Sequence, residues 1–227
     1  MRQTLVFDAD DTLWENNVLF ERVVADYLDW LAHPTLDHQA LRAVLDDVER
    51  ANVGVHGYGS ASFLRSLHDC FERLNERPVD PAEAHHITAL AAALVDHEVE
   101  LMPGVADTLA ELGSRHDLLL LTKGQQDEQQ RKIDASGLAP HFRGVHIVAE
   151  KRAPTYLELI RRHDLVAAHT WMIGNSPASD IRPAREVGMG AVFIPNAYTW
   201  SLEHDELDPQ DGGILRLQRF TELLNHF

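Results

Sequence analysis

The chain has 227 residues, 44% hydrophobic and 25% charged, the balance of a globular protein able to bury a core. Thirty-six Asp and Glu against 20 Lys and Arg leave a formal charge of −16, which repels phosphate backbones and anionic lipid and argues against nucleic-acid and membrane partners. Cys70 is the only cysteine, so an internal disulfide and a cysteine-based zinc site are excluded.

A small anionic substrate stays compatible with this charge, because a local cation overrides the global field within about one Debye length, ~8–10 Å. With no basic-then-apolar leader at Met1 and no apolar run near the ~20 residues a bilayer requires, the chain is expected to be cytoplasmic. Most of the 14 histidines stand singly, at His33, His38, His56, His68, His97 and His116, and His85 and His86 point to different sides of a helix. With no HxxxH or HExxH spacing, they are read as solvated surface residues.

In chain order, TLVFDAD (4–10) is a near-continuous apolar run that ends in acids, the pattern of a strand buried on both faces. From there to Val99 the periodicity is helical: Leu19 through Leu31, Leu36 through Val48, Ser62 through Leu74, and Pro81 through Val99. Gly54, Gly57 and Gly59 in NVGVHGYGS predict a flexible loop between two of these helices. Beyond Pro103-Gly104 a helix carrying Thr108, Leu109 and Leu112 leads to a second strand, DLLLLTK (117–123). Helices at Glu128 to Ala135, Thr155 to Arg162 and Ile181 to Val187 alternate with strands VHIVAE (145–150), TWMIGN (170–175) and GAVFIPN (190–196). Such alternation predicts an α/β fold with a parallel sheet covered on both faces. The expected division is a catalytic core of residues 1–15 and 101–227, with an inserted all-helical domain at 16–100.

In open parallel sheets the ligand site lies off the carboxyl ends of the strands. The residues there are Asp8 and Asp10, then Thr122, Lys123 and Gly124, then Glu150 and Lys151, then Gly174, Asn175 and Ser176 with Asp180 close behind. Asp8 and Asp10, one residue apart, point the same way, and like charges so close need a counter-ion or a proton. Mg²⁺ would supply that charge, with Asp8, Asp10, Asn175 and Asp180 as candidate ligands and Lys151 as a second positive charge opposite.

DADDT (8–12) resembles the DxDxT signature of haloacid dehalogenase-like hydrolases. Thr122 after LLLL, Lys151 in EKRAPTY, and GNSPASD (174–180) in place of GDxxxxD follow in the family's order. The resemblance implies a Rossmann-like core, with the helical insert as a cap. It implies Asp8 as nucleophile forming an aspartyl-phosphate, Asp10 as general acid and base, Thr122 with the following backbone N–H groups as phosphoryl binders, and Lys151 as charge compensator. Thr12, Lys123 and Gly124 would join the substrate site. A cap loop would lie over it, which makes His56, Tyr58 and Ser60 substrate-contact candidates. Two positions depart from the pattern: Asp11 stands where the family usually has Gly and is expected to face away from the metal, and Asn175 replaces an acid.

Each element has a plainer reading. Asp8, Asp10 and Asp11 could be a solvated strand end with a helix cap, Thr122-Lys123-Gly124 an ordinary turn, Lys151 a surface cation, and Asn175 to Asp180 a cap; Trp14 and Trp30 read as packing. The expected function is a Mg²⁺-dependent phosphatase acting on a small phosphorylated metabolite. Metal-independent 2-haloacid dehalogenation, phosphoryl transfer to a sugar, and phospho-ligand binding without turnover are the alternatives. Asp10 favours phosphate over halide, since a halide leaving group needs no proton. Oligomeric state leaves no mark in the sequence.

Overall fold

The computed structural model describes residues 2–94 and 98–227. His97, and the part of the predicted Pro81–Val99 helix that falls on residues 95–97, lie outside the described residues. The elements in chain order are β1 (Thr4–Phe7), α1 (Asn17–Leu31), α2 (His38–His56), α3 (Ser60–Asn75), α4 (Pro81–Ala91), α5 (Val105–Arg115), β2 (Asp117–Lys123), α6 (Gln126–Ser136), β3 (Gly144–Val148), α7 (Ala153–His163), β4 (Thr170–Gly174), α8 (Arg182–Glu186), β5 (Gly190–Phe193) and β6 (Ile214–Arg216). The chain divides into two compact units, residues 1–17 with 99–227, and residues 18–98. Among the described residues no helix is long and apolar enough to cross a membrane.

The first unit is an α/β, Rossmann-like fold around a six-stranded sheet in the order β3-β2-β1-β4-β5-β6, every neighbouring pair parallel. Alternate strand residues feed two cores, which is why the strands read as continuous apolar runs. Leu5, Phe7, Leu118 and Leu120 pack on one face with Leu109 and Leu112 of α5. Val6, Leu119, Leu121 and Met172 pack on the other with Tyr156 and Leu159 of α7. The register sets the site: Phe7 lies opposite both Leu120 and Ile173. Asp8, Thr122 and Gly174 therefore leave the same edge of the sheet within one or two residues of a common level.

Between β4 and α8 the chain makes a π turn, Pro177–Ile181, in which the Ile181 N–H reaches the Ser176 carbonyl at 3.1 Å. Such turns occur mostly as single insertions and recur at functional sites. Here the extra residue swings Asp180 back beneath the end of β4, and a Cβ on Gly174 would overlap the Asp180 carboxyl. Gly174 is thus a requirement of close approach.

Among its described residues the second unit has helices and no strand. Tyr27, Leu45, Leu67 and Ile87 are fully buried in one core fed by α1 to α4, and the Tyr27 hydroxyl donates to the Leu67 carbonyl at 2.8 Å. Trp30 packs against Phe71 with ring centroids 5.5 Å apart, in agreement with its packing role.

The structure corrects several expectations. β6 went unrecognised because it is three residues long and only partly buried, so it carries no apolar run. Gly54 lies inside α2, which runs on to His56, and only Gly57 to Gly59 forms the connection. The Pro81 helix ends at Ala91 and a 3-10 turn, Ala92–Leu94, follows it. His116 is buried, not solvated: its Nδ1 accepts from the Gln3 N–H at 3.3 Å, and burial holds the imidazole below its usual range.

Gly174→Ala forces overlap with a carboxyl that has no room to retreat. We expect a loss of about 2 kcal/mol or more in urea-unfolding stability, the cost of an overpacked core. A variant of wild-type stability would show that Asp180 does not need this approach.

Candidate functional site

Asp8 leaves β1 with its N–H on the Ile173 carbonyl at 2.9 Å. One carboxylate oxygen takes a short hydrogen bond from the Lys151 ammonium, and the other accepts from the Thr12 hydroxyl at 2.9 Å. Lys151, 2% exposed, also donates to Asp180 Oδ1 at 2.8 Å, while Asp180 Oδ2 accepts from the Ser176 N–H at 3.0 Å. One ammonium serves two buried carboxylates, so one negative charge stays uncompensated. That asymmetry fixes the direction of both shifts. Burial alone would lower Lys151, but Asp180 and Asp8 hold its ammonium well above the usual lysine range. Burial and then Asp180 push Asp8 up to about 7 against the pull of Lys151.

Asp10 looks elsewhere. Its two oxygens accept from Lys132 Nζ at 3.0 Å each, from Trp14 Nε1 at 2.7 Å and from Gln129 Nε2 at 3.1 Å. The same Gln129 amide donates to Thr122 Oγ1 at 2.6 Å, which joins the end of β1 to the end of β2. Trp14, read from sequence as packing alone, is buried and also orients Asp10.

Asp11 sits at φ 62°, the left-handed region that Asp tolerates better than most residues. Its Oδ1 accepts from the N–H groups of Asn16 and Asn17 at 3.0 and 2.9 Å, so the carboxylate turns to the start of α1. Burial, and then the charge of Asp10, push it up to about 7 although those two N–H groups pull the other way.

The expected metal ligands do not assemble as a set. Asp10 is committed to Lys132, Trp14 and Gln129, and both oxygens of Asp180 are taken by Lys151 and Ser176. Among the described residues no group of three or more His, Cys, Asp or Glu is placed to hold a metal. What remains is a pair: Asn175 Oδ1 lies 3.3 Å from Thr12 Oγ1, the hydroxyl that also touches Asp8. A hydroxyl has one proton, and two buried acceptors share it. Two hard oxygens short of a donor fit Mg²⁺, which takes few protein ligands and keeps its waters.

Two expected substrate groups are otherwise engaged. Lys123 donates to Ser179 Oγ at 2.7 Å and pairs with Glu203, which also accepts from Ser176. Burial alone would raise Glu203, but Lys123 holds it below the usual carboxylate range. The Gly124 N–H donates to the Val148 carbonyl at 3.0 Å and so belongs to the sheet, which corrects its assignment as a phosphoryl-binding N–H. His56, Tyr58 and Ser60 lie in the helical unit, at the end of α2, in the following loop and at the start of α3.

The sequence reading missed Gln129, Lys132, Glu203 and Thr199. For the first two a signal existed: they are buried together with Ile133 along one side of α6, a polar stripe where a core-facing side would be apolar. Glu203 and Thr199 sit in the irregular segment between β5 and β6, where no periodicity points inward.

The family model for haloacid dehalogenase-like hydrolases matches residues 3–188. The HAD-hydrolase YfnB of Bacillus subtilis is 26% identical over 101 residues, 42% of this chain and 43% of that protein. A haloacid dehalogenase-like hydrolase of Xanthomonas campestris superposes with a TM-score of 0.84 at 26% identity, over 99% of this chain and 94% of that one. YfnB, in a structure bound to magnesium, superposes at 0.68 with 18% identity over 99% and 97%, and the 2-haloacid dehalogenase of Pseudomonas syringae at 0.62 with 22% identity over 99% and 97%.

The raised Asp11 carries a pH signature. Between its ordinary 3.8 and about 7 the folded chain holds a proton that the unfolded chain has lost, so this contribution to stability is full below pH 4 and falls as pH rises through 7. Asp11→Asn keeps the acceptor for Asn16 and Asn17 and removes the buried charge. It should match wild type at pH 4 and exceed it by on the order of 2 kcal/mol at pH 8, read from thermal unfolding across that range. A difference that does not change with pH would refute the cost assigned to this charge.

Proposed function

Because the chain belongs to the haloacid dehalogenase-like hydrolases, we propose that it hydrolyses a small phosphate monoester through an aspartyl-phosphate on Asp8. The observation that carries this reading is Asp10. A second carboxyl two residues beyond the nucleophile is held by Lys132, Trp14 and Gln129, and through Gln129 it is tied to Thr122. Displacement of a halide needs no proton donor, whereas an alkoxide leaving group does.

One carboxylate oxygen of Asp8 attacks phosphorus and forms the aspartyl–phosphoryl P–O bond, the P–O ester bond breaks, and Asp10 gives a proton to the departing alkoxide. A water molecule, losing a proton to Asp10, then attacks the phosphoryl group, which releases phosphate and restores the Asp8 carboxylate. Lys151 offsets the charge of nucleophile and phosphoryl group together, and Thr122, accepting from Gln129, keeps its own hydroxyl proton for a phosphoryl oxygen. Mg²⁺, held by Asp8 and Asn175, would add compensating positive charge when bound. The helical unit is assigned the selection of substrate, through His56, Tyr58 and Ser60.

The competing reading is 2-haloacid hydrolysis at the same aspartate. It draws on Asn175, which removes one negative charge from the site, and on Lys151, whose ammonium already offsets part of the Asp8 charge.

Two carboxamide variants separate the readings when assayed against an aryl phosphate with Mg²⁺ and against a 2-haloacid. Asp8→Asn should abolish turnover, and Asp10→Asn should lower phosphate hydrolysis by about 10²–10⁴-fold. If Asp10→Asn leaves phosphate turnover intact, or if only the haloacid is consumed, the phosphatase reading is wrong. Tyr58→Ala should alter relative kcat/KM across a panel of phosphate esters. A uniform change across the panel would remove Tyr58 from substrate selection.

A further inference from the structure

The segment that follows β5 lies along the carboxyl edge of the sheet and is tied to it by side chains. Asn196 Nδ2 donates to the Asp11 carbonyl at 3.3 Å, the Tyr198 carbonyl accepts a short bond from Asn17, and Glu203 holds Lys123 and Ser176. Between these ties stands Thr199. Its hydroxyl donates to the Asn196 carbonyl at 3.0 Å and accepts from Asn175 Nδ2 at 3.2 Å.

We propose that Thr199 is a positioning residue that fixes which end of the Asn175 amide faces Asp8, and thereby keeps an oxygen there for a divalent cation. An amide has an acceptor at one end and two donors at the other, and rotation by half a turn about its last bond exchanges them. With the Thr199 proton on Asn196, the side of its oxygen that faces Asn175 is a lone pair, which demands the NH₂ end. Oδ1 is then obliged to face Thr12 and Asp8.

The reversed amide has its own logic. It would set the NH₂ against the Thr12 hydroxyl, free that hydroxyl's proton for the Asp8 carboxylate alone, and leave no amide oxygen for a cation. In a site 6% exposed at Asn175, with one hydroxyl proton between two acceptors, that reversal is the arrangement a metal-free pocket favours, so something must oppose it. The Thr199 hydroxyl is the partner placed to do so. An aspartate at 175 would need no such device, since both ends of a carboxylate are oxygens. The role of Thr199 is therefore specific to a chain with Asn at this position.

This inference rests on the reading that Asp8 and Asn175 take Mg²⁺, and the test separates the two. Mg²⁺ affinity is measured on the full chain by titration calorimetry, with the Mg²⁺-induced rise in melting temperature as a second readout. Thr199→Val should weaken Mg²⁺ binding about tenfold, the worth of one ordinary hydrogen bond, and Thr199→Ser should bind as wild type. In an Asn175→Asp background the valine substitution should have no effect on affinity. An equal loss in both backgrounds would overturn the proposal, since it would show only a general structural role, and so would wild-type affinity in Thr199→Val. If the wild-type chain binds no Mg²⁺ while Asn175→Asp does, the metal reading itself falls and the proposal falls with it. The serine variant and the Asn175→Asp pair keep the comparison open should Thr199→Val fold poorly.

Discussion

The active edge of this protein is organised around one buried ammonium. Lys151 is shared by Asp8 and Asp180, and each neighbouring feature reads as a condition for that arrangement. Gly174 leaves room for the Asp180 carboxyl, the π turn brings it back under β4, and the Ser176 N–H holds its second oxygen. Tyr156, fully buried on α7, donates to the Ser179 carbonyl at 2.8 Å and braces the turn from below. A triad of this kind is poor value as a source of stability, because stripping water from three charges costs as much as their attraction returns. Its worth is positional: it presents an aspartate whose charge is only partly compensated, the group that the proposed reaction would use as its nucleophile.

Charge is partitioned around that centre. Asp10 is paired with Lys132 and Glu203 with Lys123, while Asp11 relies on two backbone N–H groups. The Asp8, Lys151 and Asp180 group carries one extra negative charge. Local cations would thus let a chain with net charge −16 accept the proposed anionic substrate, since the Debye length keeps the remote acids from mattering much there. An aspartate at 175 would have left that group with two uncompensated charges. With Asn175 the deficit is one.

How much of this could be read in advance depended on how local the signal was. The five longer strands, the residues at their carboxyl ends and the wholly helical block all announce themselves through short-range periodicity, a consequence of strands buried on two faces. What could not be read are partners supplied from far along the chain. Lys132 reaches Asp10 across 122 residues and Glu203 reaches Lys123 across 80, and no spacing rule connects them. Gly124 illustrates a different failure. Its position after Thr122 suited a phosphate-binding loop, but the β2–β3 ladder extends far enough to claim its N–H. Carboxylates can be placed at a strand end from sequence, whereas the direction each one faces is decided by donors that the sequence does not mark.

The two departures from the family pattern are best understood by asking what each replacement residue does that the usual one cannot. Glycine at position 11 would relax the left-handed backbone but offer no acceptor, whereas Asp11 supplies one carboxylate oxygen to two N–H groups at the start of α1. That capping offsets the strain of φ 62° and part of the cost of burying a third acid beside Asp8 and Asp10. Asn175 exchanges a charge for an amide, which has a preferred end, and the structure supplies a partner that can tell the ends apart. In both cases a change that weakens one term of the site is met by a local hydrogen bond that the usual residue would not have needed.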